Sequence, residues 1–95
     1  MASVQFFATE ALTVSSTSVG FTSATYGAAD YAHVYVDIAD VRFLANGTAA
    51  TTSNGVPLAN HDELILESAE EVARFRAIRD GGTDATLIAQ FGKRS

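Results

Sequence analysis

Residues 31–38 alternate without interruption between two chemistries: Ala32, Val34, Val36 and Ile38 fall on one side, and Tyr31, His33, Tyr35 and Asp37 on the other. A period of two marks a half-buried β-strand, because successive side chains of an extended chain point to opposite faces. The aliphatic set is expected to face a core, and the aromatic and polar set to face solvent. Such a strand needs partners, and the rest of the sequence offers them in short pieces. Residues 41–44 continue the inward set with Val41 and Phe43, but in odd numbers, so a turn or bulge near Ala39 and Asp40 must reset the phase, and a tight turn is the favoured reading. Residues 4–8 and 11–14 read as edge-strand material, residues 64–67 as another strand, and residues 21–26 as a further strand or an irregular segment.

Residues 46–60 are rich in Gly, Thr, Ala and Asn, carry Asn46-Gly47 and Asn54-Gly55, and include the only proline, Pro57. That composition predicts a long surface loop. Ser68 followed three residues later by Glu71 is a capping box, able to satisfy the free N–H groups that open a helix. About one helical turn is expected over residues 68–73.

The end of the chain reads as a hairpin. With a turn at residues 80–84, antiparallel pairing sets Arg79 opposite Ala85, Ala77 opposite Leu87, Phe75 opposite Ala89 and Ala73 opposite Phe91, large against small at each inward step. Its other face would then carry Arg74, Arg76 and Ile78 against Gln90, Ile88 and Thr86. Isoleucines among arginines suit a contact surface; the plainer reading is that a loop half covers them while the arginines solvate the face. The expected fold is all-β, a small antiparallel β-sandwich, immunoglobulin-like or jelly-roll-like, with one short helical turn near residues 68–73.

Composition fits one domain over residues 1–95: 47% of residues are apolar, enough for a core, and only 18% are charged, too few for wholesale disorder. The chain has no cysteine, which excludes a disulfide framework, a thiolate metal site and a thiol nucleophile. No apolar run approaches the roughly 18 residues of a membrane span, and the first residues lack the basic and apolar regions of a signal peptide. A soluble protein made in the cytoplasm is expected, without a membrane partner. The net charge of −5 opposes binding to nucleic acid phosphates. That charge is uneven: residues 1–71 carry one base, Arg42, against nine acids, and residues 72–95 carry five bases against two acids.

Signals for chemistry are missing. His33 and His61 are far apart in sequence, without the close ligand spacing of a zinc site, and read as two surface histidines. Asp62, Glu63, Glu67, Glu70 and Glu71 cluster, but a chain this small offers little cleft for a carboxylate pair. They read instead as turn formers and as acids at the positive start of a helix. Asp80 and Asp84 flank Gly81-Gly82 without the dense spacing of a calcium loop. No nucleophile elbow, dinucleotide fingerprint or phosphate loop occurs. Asn46-Gly47-Thr48 matches a glycosylation triplet but reads as a turn. Tyr26, Tyr31 and Tyr35 with Phe21 offer the residue types of an aromatic platform for sugar or single-stranded nucleic acid; edge and core packing is the competing reading, favoured because no basic residue is interleaved with them. No enzyme activity, catalytic residue, cofactor or metal is expected.

Leu12-Thr13-Val14-Ser15, Val19-Gly20-Phe21-Thr22, the alternating strand leading to Val41-Arg42-Phe43, the Asn46-Gly47-Thr48 turn, Gly55-x-x-Leu58, and Phe75-Arg76-Ala77-Ile78-Arg79 before Ala85-Thr86-Leu87 together resemble small β-sandwich accessory proteins of tailed-bacteriophage virions. The resemblance covers most of the chain. Family members often carry Asp-Gly-Thr-x-Pro-Thr at the middle turn, where this chain has Asn46 for Asp and Ala50 for Pro. The resemblance implies a non-enzymatic virion protein: a capsid decoration or cement subunit, with a head-to-tail or tail component as the alternative. The implied partners are the major capsid protein or other virion proteins, in a homo-oligomer or symmetric array. From a different class, a carbohydrate-binding module using Tyr31, Tyr35 and the long loop is the alternative. The residues expected at the protein interface are Arg74, Arg76, Ile78 and Ile88, with Lys93 and Arg94 as a flexible cationic end. An acidic body and a basic last hairpin would let copies dock head to tail, unless Glu67, Glu70 and Glu71 pair with Arg74, Arg76 and Arg79 within one molecule.

Overall fold

The computed structural model describes residues 4–94. Two antiparallel sheets form a small all-β sandwich. The larger runs in the spatial order β1 (Val4–Val14), β7 (Ala85–Arg94), β2 (Tyr31–Asp37), β5 (Glu63–Leu66), and the smaller in the order β4 (Val56–Leu58), β3 (Val41–Leu44), β6 (Arg76–Arg79). Two short helices, α1 (Ser23–Tyr26) and α2 (Ala69–Arg74), lie in the connections. The core between the sheets is one cluster, with Ala32, Val34, Val36, Leu66, Ala85, Leu87, Ala89 and Phe91 from the larger sheet and Val41, Leu58 and Ala77 from the smaller. Part of it is a cluster of aromatic rings. Phe75 stacks on Phe21 at 4.8 Å and on Phe43 at 5.7 Å between ring centroids, and Phe91 meets Phe21 edge-on at 5.2 Å. Gly20 permits this closure, since a Cβ there would lie 2.6 Å from the Phe75 carbonyl oxygen.

The alternating segment forms a strand with Ala32, Val34 and Val36 fully buried. Ile38 departs from the expected inward set: it is 59% exposed. The strand ends at Asp37, and a tight turn follows in which Ala39 N–H donates to the Asp37 carbonyl at 3.0 Å. Ile38 at its centre has φ 79°, the combination of a γ-turn of positive φ, which strains a β-branched residue. The change from even to odd inward positions marks the chain leaving the larger sheet for the smaller.

The two N-terminal pieces are one eleven-residue strand, with a register shift at Phe7 between Phe6 and Ala8. Residues 21–26 are neither strand nor irregular throughout: Phe21 enters the core and Ser23–Tyr26 is helical. The predicted loop over residues 46–60 contains β4, where Leu58 pairs with Val41 and Val56 with Phe43. Its edge position tolerates Pro57, which has no N–H to donate. The helix after Ser68 is capped much as expected, over six residues. Ser68 Oγ accepts from Glu71 N–H at 3.1 Å, while the Glu71 carboxylate reaches one residue further back, to Glu67 N–H at 2.8 Å.

The terminal hairpin does not exist. β6 pairs with β3, setting Ala77 against Phe43 and Ile78 against Arg42, whereas β7 lies between β1 and β2 in the other sheet. Residues 80–84 carry the chain across the sandwich. The predicted inward set of Phe75, Ala77, Ala85, Leu87, Ala89 and Phe91 is nevertheless buried. Strands on opposite sheets of a sandwich share one core, so inward parity survives a wrong choice of partner. Ala73 does not belong to that set: it lies exposed on α2.

Candidate interaction surface

Because β6 and β7 belong to different sheets, the expected contact face separates into two. Arg76 and Ile78 lie half-buried on β6, and Arg74 ends α2 beside them; Ile88, Lys93 and Arg94 belong to β7. The cationic end is not free. Lys93 and Arg94 sit opposite Gln5 and Val4 in the ladder, Lys93 Nζ donates to the Ala28 carbonyl at 3.3 Å, and the Arg94 guanidinium lies 5.6 Å from the Tyr31 ring.

The charges are largely matched within the chain. Arg42 meets Asp80 at 3.0 Å, Arg74 meets Glu70 at 3.5 Å, Arg79 meets Asp84 at 2.6 Å, and Arg94 meets Glu67 at 3.8 Å while donating to the Glu67 carbonyl at 2.6 Å. Of the pairs proposed to consume the asymmetry locally, only Glu70 with Arg74 forms. Arg76 has no carboxylate partner among the described residues: one Nη donates to the Ser18 carbonyl at 3.3 Å, and its Nε is buried without a partner. Of the cations on the last two strands, Arg79 and Arg94 are thus paired within the chain, and Arg76 and Lys93 meet only backbone carbonyls among the described residues.

What the larger sheet presents instead is an apolar and aromatic outer face. Its ladders run Ala11–Ile88–Tyr35–Glu63, then Thr9–Gln90–His33–Ile65, then Phe6–Gly92–Tyr31. Phe6, Ile65 and Ile88 are 47%, 38% and 41% exposed on it, and the bulged Phe7 beside them is 53% exposed. Gly92 shapes the middle. A Cβ there would meet Val4 Cγ1 at 2.5 Å, so the bare backbone lets Val4 and Phe6 lie over β7, with Phe6 6.0 Å from the Tyr31 ring. Ile88, singled out from the sequence, sits inside this face. Phe6, Phe7 and Ile65 were not singled out, although the adjacent pair Phe6-Phe7 signalled that one ring must leave the core side unless the strand bulged.

Polar groups are interleaved with these side chains, Gln90 and His33 lying between the Ile88 and Phe6 rows. His33 Nε2 contacts Glu63 Oε1 at 2.5 Å, and the Tyr35 hydroxyl and His61 Nδ1 share a hydrogen bond of 2.7 Å. The two histidines thus take separate partners, and the described residues hold no group of three or more His, Asp or Glu placed to bind a metal. The aromatic platform separates too: Phe21 is in the core and Tyr26 packs against Phe91 at 6.0 Å, leaving Tyr31 and Tyr35 on the outer face. A depression of about 140 Å³ is lined by Ala39, Asp40, Asp80 and residues 81–83. Its two carboxylates are engaged, Asp40 with Asn60 N–H at 2.7 Å and Asp80 with Arg42, and it is smaller than the roughly 300–1,000 Å³ of ligand pockets. Among known proteins, the chain matches no family model, no curated protein and no solved structure.

Proposed function

We propose that this chain is a non-enzymatic assembly subunit that docks through the outer face of its four-stranded sheet. The observation that supports the reading is the grouping of Phe6, Ile65 and Ile88 with Tyr31 and Tyr35 on one outer face, interleaved with Gln90 and His33 and bordered by Glu63 and Asp37. Exposed aromatic and aliphatic side chains interspersed with polar ones are the make-up of a protein interface, where a few such anchors supply most of the binding energy. On the resemblance, the partner is the capsid of a tailed bacteriophage, and the subunit decorates or cements the shell in the virion. Binding only to the assembled lattice would stabilise that lattice by mass action.

Co-sedimentation with purified phage particles tests this. Ile88→Glu puts a charge at the centre of the face without disturbing the core, and binding is expected to fall by at least about tenfold, as for loss of an interface anchor. Arg76→Glu, on the other sheet, is expected to bind as the parent does. The reverse pattern moves the interface to the smaller sheet. Cryo-electron microscopy showing signal at one vertex, in place of the whole shell, selects the head-to-tail alternative. Glycan-array binding lost with Tyr31→Ala and Tyr35→Ala selects a carbohydrate-binding module.

A further inference from the structure

The strand at each edge of a sheet exposes backbone N–H and C=O groups that another chain can pair with, and the four edges here differ. The free side of β6 is occupied: Val19 and Ala77 exchange bonds of 2.9 and 2.8 Å, and Arg79 N–H donates to the Ser15 carbonyl at 3.0 Å. β4 has three residues and includes Pro57. β5 has four and begins at Glu63. β1 has eleven, and its outer side pairs with no other backbone segment among the described residues.

The ladder identifies the free groups. Val36 donates its N–H to the Asp62 carbonyl and accepts from His61 N–H, so even-numbered residues of β2 bond toward β5 and odd-numbered ones toward β7. Thr86, Ile88 and Gln90, opposite Asp37, Tyr35 and His33, therefore bond toward β2, leaving Ala85, Leu87 and Ala89 to bond β1. Their partners are Val14, Leu12 and Glu10. The N–H and C=O of Thr13, Ala11 and Thr9 consequently point away from the sheet, without a backbone partner among the described residues. The bulge at Phe7 interrupts the regular ladder on the other side of this stretch.

We propose that a second copy of this chain pairs with β1, antiparallel about a two-fold axis at Ala11, joining two four-stranded sheets into one of eight. A two-fold interface must be self-complementary, and this one is. Ala11 faces Ala11 of the copy and Thr9 faces Thr13, a favourable cross-strand pair. Charge selects the same arrangement. Glu10 is the one charged side chain of β1, and this register sets it against Leu12 of the copy instead of against its own equivalent. Its carboxylate is already held by the N–H and hydroxyl of Thr22, both at 2.9 Å. Pairing β1 with β5 of a copy would be head-to-tail, so it need not close. Each copy carries a net −5, so this hydrogen-bonded dimer tightens as added salt screens the repulsion between copies, whereas docking through ion pairs loosens. The inference does not rest on the identity of the docking partner.

Sedimentation velocity of the full chain alone, from dilute to about millimolar concentration at low and high salt, tests it. The expected result is a monomer–dimer equilibrium that shifts toward dimer with salt. Ala11→Pro removes an N–H only from the free side, so the fold is retained while two interface bonds per dimer are lost, weakening association by about tenfold or more. Ala11→Lys, which alters only an exposed side chain, sets two ammonium groups on the axis and has the same effect. Ala11→Cys introduces a lone thiol into a cysteine-free chain. Hydrogen-bonded antiparallel pairs have Cα atoms about 5.5 Å apart, within disulfide range, so air oxidation yields a covalent dimer. A chain that stays monomeric throughout, a dimer that loosens with salt, or one that both Ala11→Pro and Ala11→Lys leave at parental strength overturns the proposal. So does protection of the Thr9, Ala11 and Thr13 amides only after a foreign protein is added.

Discussion

Phe75→Ala should remove a large part of the stability of this domain. Phe75 is fully buried, on the segment linking α2 to β6, and its ring lies between Phe21 at 4.8 Å and Phe43 at 5.7 Å. Truncating a buried phenylalanine costs about 3–5 kcal/mol, transfer and cavity together. Two near-parallel stacks put this site at the upper end, since each aromatic pair adds about 0.5–1.5 kcal/mol beyond its area. The expected loss is therefore about 4–5 kcal/mol. At about 0.05–0.15 kcal/mol per residue, a chain of 95 residues has roughly 5–14 kcal/mol to lose. Tm should fall by roughly 16–40 °C, at about 4–8 °C per kcal/mol. Phe75→Leu keeps apolar contact but loses the rings, and should cost about 1.5 kcal/mol. Ile88→Ala, on the half-open outer face, should cost under about 1 kcal/mol. Urea unfolding followed by circular dichroism at dilute protein measures all three, with an unchanged m-value as the sign that only stability moved. A loss below about 1.5 kcal/mol for Phe75→Ala, or one equal to that of Ile88→Ala, would refute the stacked core.

Two further outcomes follow from the backbone. Ile38→Gly should raise stability by about 1 kcal/mol in the same urea assay, because relief of about 1–3 kcal/mol of strain at φ 79° outweighs the extra freedom of glycine in the unfolded chain; a destabilised variant contradicts the strained turn. Leu44→Cys combined with Arg76→Cys should cross-link, since those residues pair across β3 and β6. Arg76→Cys with Ile88→Cys, neighbours only in a terminal hairpin, should not. The opposite result, read on a non-reducing gel, restores the hairpin.

Strand existence and inward parity were legible because burial on one face writes a period of two into the residues themselves. Ala32, Val34, Val36, Leu87 and Phe91 could be assigned to the core by counting alone. The cap at Ser68 was equally local, requiring only residues three apart to meet. The short strand β4 escaped notice because an edge strand of three residues containing Pro57 carries too little pattern to stand out from its turn-rich surroundings.

Partner choice was not written locally. A five-residue connection after Arg79 serves a hairpin within one sheet or a crossover between two, and both bury Ala77 and Leu87. The tertiary structure decides it because β3, with Val41 and Phe43, and the segment at Val19 occupy the two sides of β6, while β1 and β2 occupy the two sides of β7. That decision moved Ile88 away from Arg76 and Ile78 and placed it with Tyr35 and Ala11. The sequence by itself determined which residues turn inward; only the packing of the sheets determined which outward residues share a face, because side-chain alternation records orientation and carries no information about the neighbouring strand.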